Sequence, residues 1–504
     1  MDVLSGPVAG VFRAPDVDYH AFAPELVLVA VLVAVLVVDL VLEGRGRRLV
    51  GGLAGIGLLA AMVPVLTLAV DGANRSMVGG AYVVDDFALV FKGLFLIAGY
   101  VTMLLSSDYL ADDDYYEGEY YFLLLSSVLG MMVMASSRDL ISIFVALELL
   151  SIPAYMLAGW RKRDLKGNEA TLKYYLLGVF ATGVMLYGMS LIFGITGETV
   201  LTEIGSKLQG PGASLPLVSL GIVFVIVGFA FKISAVPFHS WAPDTYEGAP
   251  TPITAFLSVA SKAGGFVALM QLVFIGFLGR DDVWQPMFWV LAALTMTVGN
   301  LIALRQTNIV RMLAYSSVAQ AGYMLLPFAV AGDLAKGPGA AMGPMTTYLL
   351  IYAAMNLGAF ALVLAVARKT RSGEIASYGG LFEYAPGLTV LMSIFVFALA
   401  GIPPLGGWYG KLVVFKTLLD ANTPWAIVLG VIAAVNSVIA LYYYASVARE
   451  MWMRPVPDGD TTPVRVPAGL TAALSLCAVA TVVIGVYPQV VARFGDLAVF
   501  SLLP

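Results

Sequence analysis

Four ionisable side chains stand inside long apolar runs: Glu148 in "FVALELLSIPAYML", Lys232 in "FAFKISAVPFHSW", Lys262 in "LSVASKAGGF" and Lys411 in "LAGIPPLGGWYGKLVVF". A charged residue at the centre of a membrane helix is unfavourable by about 2.5 to 3.5 kcal/mol on insertion scales, so each needs a chemical reason. Burial disfavours the charged form of such a group and an opposite charge in reach restores it. An acid and a base that meet there pass between charged and neutral states as protons arrive, which is what a proton relay needs. The competing reading is a static ion pair joining two helices.

His239 follows Lys232 by seven residues, about two turns, which puts both on one face if the helix is continuous. Histidine changes charge near neutral pH, so His239 is a candidate carrier between Lys232 and a neighbour; the alternative is a satisfied structural histidine. Lys92 lies well inside another run, where an ion pair and a functional role are equally open. Lys416 lies near a run's end, where its ammonium reaches the interface. Glu148 is the acid that reads as deep; Asp39, Asp85 and Asp86 lie near run ends and are expected to meet water or lipid headgroups.

The elements that hold these residues are membrane helices. Of 504 residues, 60% are hydrophobic and 12% charged, which does not suit a water-soluble surface. A bilayer core needs about 20 apolar residues per helix, and the runs give an all-α polytopic protein of about 14 transmembrane helices. They begin near residues 24, 51, 84, 118, 139, 170, 216, 253, 284, 308, 343, 386, 424 and 468. Asp2, Asp16 and Asp18 precede the first run and Arg45, Arg47 and Arg48 follow it, so it reads as a retained span with an outside N-terminus, not a signal peptide. Lys and Arg then gather on inside connections, including Arg161, Lys162, Arg163, Lys166, Arg368, Lys369 and Arg371, and both termini fall outside.

Two spans carry helix breakers. Pro237 and Pro243 break the seventh; Pro403 and Pro404 break the twelfth, where Gly406, Gly407 and Gly410 permit close packing. Backbone groups freed in this way are tolerated at membrane depth only against protein or a wet cavity. A faint repeat runs through the same regions: Tyr155 to Leu157 matches Tyr323 to Leu325, Tyr175 to Leu177 matches Tyr348 to Leu350, and Pro237 matches Pro404. An odd number of spans per unit makes the two five-helix units inverted, a transporter signature. The expected division is an N-terminal segment 1–23, a three-helix region 24–117, a first repeat 118–280, an inverted second repeat 281–450, and 451–504 with the last span. The repeat copies the breaks, not the charges, since Glu148 aligns with Ser316 and Lys232 with Leu399.

Several functions are disfavoured. The net charge of −5 is small and unclustered, which argues against nucleic acid. No Gly-x-Gly-x-x-Gly or Walker-type loop occurs. One cysteine, Cys477, and two histidines, His20 and His239, do not furnish iron–sulfur or haem ligation, so no redox cofactor is expected in the chain itself.

The stretches "FKISAVPFHSWAPDTYEGAPTPITAFLSVASKAGGF", "NEATLKYYLLGVFATGVMLYG", "NIVRMLAYSSVAQAGYML" and "GIPPLGGWYGK" resemble the subunit N family of bacterial NADH-quinone oxidoreductase, respiratory complex I. This is the counterpart of mitochondrial NADH dehydrogenase subunit 2. The resemblance spans about residues 24 to 490, and "YEGAPTPITAFLSVASK" favours this family over the antiporter-like subunits L and M. It implies that Glu148 pairs with Lys232, that Lys262 is the central lysine of the eighth span, and that Lys411 is that of the broken twelfth. It also implies FMN, iron–sulfur clusters and quinone in partner subunits. The implied neighbours are antiporter-like subunit M, the small membrane subunits K, J and A, through them the peripheral arm, and lipids of a bacterial cell membrane. The expected function is proton translocation coupled to quinone reduction elsewhere. A cation/proton antiporter subunit and a structural spacer are the competing classes.

Overall fold

The computed structural model describes residues 17–42, 48–72, 74–111, 117–210 and 216–500. The charges Asp2, Asp16, Arg45 and Arg47, used above to orient the first span, lie outside these residues. Helices α1 (Ala23–Val41) and α2 (Arg48–Val70) lead to a small antiparallel hairpin, β1 (Arg75–Met77) and β2 (Tyr82–Val84). There follow α3 (Asp86–Ala111), α4 (Glu117–Ser136), α5 (Leu140–Ala158), α6 (Leu165–Thr196), short α7 (Leu201–Lys207) and α8 (Pro216–Lys232). After a break come α9 (Trp241–Gly248), α10 (Thr251–Phe256) and α11 (Lys262–Gln271), the last two joined through a π turn over Leu257–Ser261. The remainder is α12 (Asp281–Ala303), α13 (Ile309–Met324), α14 (Met342–Thr370), α15 (Leu381–Tyr384), α16 (Pro386–Ala400), α17 (Gly406–Ala421), α18 (Pro424–Met453), α19 (Ala468–Val486) and α20 (Gln489–Leu497).

Twelve helical segments among the described residues are long and apolar enough to cross a membrane. The two shorter apolar helices are α8 and α16, the spans expected to be broken. The chain is therefore a multi-pass, all-α membrane protein. Polar side chains set where several helices start: Asp139 accepts from the amides of Ile141 and Ser142 at α5, Asp164 from Lys166 at α6, and Asn308 from Val310 and Arg311 at α13. Gly197, at φ 68°, ends α6 in the left-handed conformation that favours glycine. Beyond the spans, Lys369 holds the 454–467 connection through the carbonyls of Asp460 and Thr462, both at 2.7 Å. The amide and hydroxyl of Thr462 keep the Asp460 carboxyl below the usual carboxylate range.

Close helix contact fixes α5, which carries Glu148. A Cβ added to Gly130 of α4 would meet Leu150 N at 2.5 Å and Leu149 C at 2.8 Å, so glycine alone lets the two backbones touch. Gly130→Val is expected to destabilise the fold by about 1 to 3 kcal/mol through overpacking. Thermal unfolding of the purified protein in detergent checks this, and an unchanged midpoint would mean that the helices separate freely.

Two expectations change here. Asp85 is buried and its carboxylate accepts two bonds from Arg138, at 3.1 and 3.2 Å, in place of water or headgroups. Pro243 sits in the first turn of α9, where an amide lacks a helical partner anyway, so it opens a helix instead of breaking one. The break is made by residues 233–240 around Pro237, and in the second case by 401–405 around Pro403 and Pro404. The peptide bonds preceding Pro237 and Pro404 are both cis.

Candidate functional site

The breaks are satisfied by protein groups. In the first, the Trp241 indole donates to the Phe231 carbonyl at 3.0 Å and the Val236 amide donates to Thr295 Oγ1 at 2.9 Å. In the second, Gln320 Nε2 donates to the Leu399 carbonyl at 2.9 Å and Lys411 Nζ to the Ala400 carbonyl at 2.7 Å. A cation at the end of α16 meets the negative end of the helix dipole. Each break thus leaves a lysine at the C-terminus of a half-helix, Lys232 within α8 and Lys411 reaching back to α16.

Lys232, Lys262 and Lys411 are 4%, 2% and 6% exposed, which places all three ammonium groups inside protein. Lys232 Nζ donates to Ser151 Oγ at 2.8 Å and to the Tyr174 hydroxyl at 3.3 Å. Tyr174 stacks on Trp241, with ring centroids 4.4 Å apart, so the helix after the break fixes the partner of the lysine before it. The Tyr174 hydroxyl also lies beside Ser261, the residue preceding Lys262. Lys262 Nζ donates to the carbonyl and hydroxyl of Ser317, at 2.9 and 2.6 Å, and Tyr352 donates to the same hydroxyl at 2.8 Å. Ser316, the next residue back, shares a hydrogen bond with Tyr444, which accepts from Gln320; Tyr348 donates to Gln320 Oε1. Lys411 reaches Ser437 at 3.4 Å and lies over the Tyr323 ring, whose hydroxyl bonds Ser437 at 3.0 Å.

These groups form a line of titratable lysines joined by hydroxyls and an amide. Hydroxyls both donate and accept, so such a line can pass protons as well as fix charges. Glu148 does not form an ion pair with Lys232 among the described residues. Ser151 lies between them, one turn from Glu148 on the same helix face, while the carboxylate stays within electrostatic reach of the lysine. One Glu148 oxygen, Oε1, is buried without a hydrogen-bond partner. His239 does not share a face with Lys232, because α8 ends at Lys232 and the helical period stops there. Its ring is half-buried near Tyr315, centroids 6.4 Å apart, and its Nδ1 is buried without a partner. Sequence reasoning missed Ser151, Tyr174, Ser317, Tyr352, Gln320 and Ser437. The spacing of Glu148, Ser151 and Tyr155, at i, i+3 and i+7, was the available signal for the first of them.

The family model of the transmembrane part of NADH:quinone oxidoreductase and Mrp antiporters matches residues 137–437, which include Glu148 and all three lysines. The chain belongs to this family. Within the family, it is 39% identical to NADH-quinone oxidoreductase subunit N of Trichlorobacter lovleyi, over 98% of this chain and 99% of that one. A chain of respiratory complex I from Thermus thermophilus, solved with bound aureothin, is 32% identical with a TM-score of 0.77, covering 93% of this chain and 98% of that one. A chain of the Mrp complex from Dietzia is 20% identical over 96% and 97%, with a TM-score of 0.82, a likeness of fold alone. Antiporter-like family members therefore share this helical frame across differing assemblies.

Proposed function

We propose that this chain is the subunit-N-type component of an NADH-quinone oxidoreductase and works in its membrane arm as a proton-translocating, non-redox subunit. The observation that carries this reading is the buried line from Lys232 through Lys262 to Lys411. The near-full-length likeness to subunit N supports assigning that line to a redox-driven complex. Electron transfer from NADH through FMN and iron–sulfur clusters to quinone belongs to partner subunits. The neighbours are antiporter-like subunit M and the small membrane subunits K, J and A, in a bacterial cell membrane with both termini of this chain outside.

Charge arriving at Glu148 stabilises the protonated form of Lys232 through Ser151, and withdrawal of that charge releases the proton toward Tyr174. Lys262 and Lys411 repeat the step, each held by a hydroxyl and a backbone carbonyl that stabilise the ammonium. The line is built across the two expected inverted units, residues 118–280 and 281–450. His239 lies within the break and off this line.

A tagged protein extracted in mild detergent tests the assignment. Flavin and iron–sulfur subunits are expected to co-purify with NADH-quinone activity. Recovery with only other antiporter-like chains, and no NADH oxidation, would move the function to cation/proton antiport.

A further inference from the structure

A second buried polar cluster lies away from the lysine line, at the other end of α11. Lys92 and Glu25, 0% and 1% exposed, form an ion pair of 2.9 Å between α3 and the first turn of α1. Lys92 also donates to the Tyr82 hydroxyl at 3.3 Å, and that hydroxyl lies beside the Glu25 carboxylate and the Ser136 side chain. Gln271 stands on the helix that carries Lys262. It ends α11, nine residues or about 13 Å along the helix from Lys262, and its Nε2 donates to the Met134 and Ala135 carbonyls just before Ser136.

Four polar atoms on this route have no well-formed hydrogen bond, although all three residues are buried: both Glu25 carboxylate oxygens, one of them held in the ion pair, and, outside that pair, Gln271 Oε1 and Ser136 Oγ. A buried amide oxygen and hydroxyl left without a well-formed bond require a partner, and water is the partner that such polar sites take. A purely structural ion pair needs neither of them. At the far end, Glu25 follows closely on Tyr19 and His20, which are exposed. The cluster therefore spans the distance from the interior to the face that carries the N-terminus.

We propose that Gln271, Ser136, Tyr82, Lys92 and Glu25 form an extracytoplasmic exit branch that takes protons from Lys262 to the face beside α1. This rests on the proton-translocating reading above. A proton leaving Lys262 moves along Gln271 and Ser136 to the Tyr82 hydroxyl, and the Lys92–Glu25 pair accepts and releases it. No bond other than those to the proton changes.

The test is NADH-driven acidification of inverted vesicles, normalised to assembled complex. The double variant Glu25→Gln/Lys92→Met removes both charges while keeping their size, which avoids leaving one charge buried alone. Acidification is expected to fall by about tenfold or more, a floor set below the roughly 100-fold or greater contribution of positioned acid–base groups. Glu25→Asp, which keeps the acid, is expected to retain more pumping than Glu25→Gln, which keeps only the shape; a packing role gives the reverse order. Tyr82→Phe is read by the same criterion should the double variant fail to assemble. Normal acidification in the double variant, or in Tyr82→Phe when that stands in for it, overturns the branch, as does the reverse order of the Glu25 variants. Lys262→Ala, measured in parallel, separates the two failures: if it alone lowers pumping, the branch falls and the translocating function stands, and if it does not, both fall.

Discussion

Lys262→Arg is expected to stop proton translocation nearly as completely as Lys262→Ala, with NADH-driven acidification lower by roughly tenfold or more. The reason is the difference between carrying a charge and exchanging a proton. Arginine keeps the positive charge and enough donors for the Ser317 carbonyl and hydroxyl, but its guanidinium does not give up its proton in proteins. Among the described residues Lys262 has no acid in ion-pair contact, only Ser317 at 2.9 and 2.6 Å, which Tyr352 also binds. The measurement is acidification of inverted vesicles alongside NADH-quinone reduction. Normal pumping by the arginine variant would make Lys262 a fixed structural cation and remove it from the relay.

Arg138→Ala is expected to be the most destabilising single change considered, by about 3 to 5 kcal/mol, because it leaves the buried Asp85 carboxylate unpaired. The guanidinium also donates to the Ala135 and Ser137 carbonyls at 3.0 and 3.1 Å and packs against the rings of Phe87 and Phe500. One side chain thus joins the α4–α5 connection, the start of α3 and Phe500. Thermal unfolding in detergent reads the loss. The double variant Asp85→Leu/Arg138→Met is expected to recover most of it, since removing both charges relieves the unpaired one. A double variant as unstable as the single would assign the effect to packing and the carbonyl contacts instead.

The helices and their interruptions were legible in the sequence because they are coded by strong one-residue signals. Twenty apolar residues in a row, or a proline amid them, leave few other arrangements in a membrane. The three buried lysines were legible for a related reason: a charge in an apolar run stands out. Their partners did not stand out. Ser151, Tyr174, Ser317 and Gln320 are tolerable in any membrane helix, and only the crossing of distant helices makes them neighbours of a lysine. Glu25 escaped because it opens its span, where acids are unremarked, yet it is buried more completely than Glu148. The His239 alignment failed for a physical reason already present in the sequence: Pro237 ends the periodicity on which the alignment relied. The two-unit division remains a proposal, supported by paired breaks rather than by paired charges.

The bond from Lys411 to the Ala400 carbonyl ties chemistry to mechanics. That carbonyl is the last of α16, and the ammonium that holds it belongs to α17 on the other side of the interruption. A charge-assisted hydrogen bond is roughly twice as strong as a neutral one. In the proposed relay, a Lys411 that gives up its proton also gives up the charge that strengthens this joint between the two half-helices. Proton occupancy and the stiffness of a hinge would then be one variable, and the relay would need no separate device to turn a change of charge into movement.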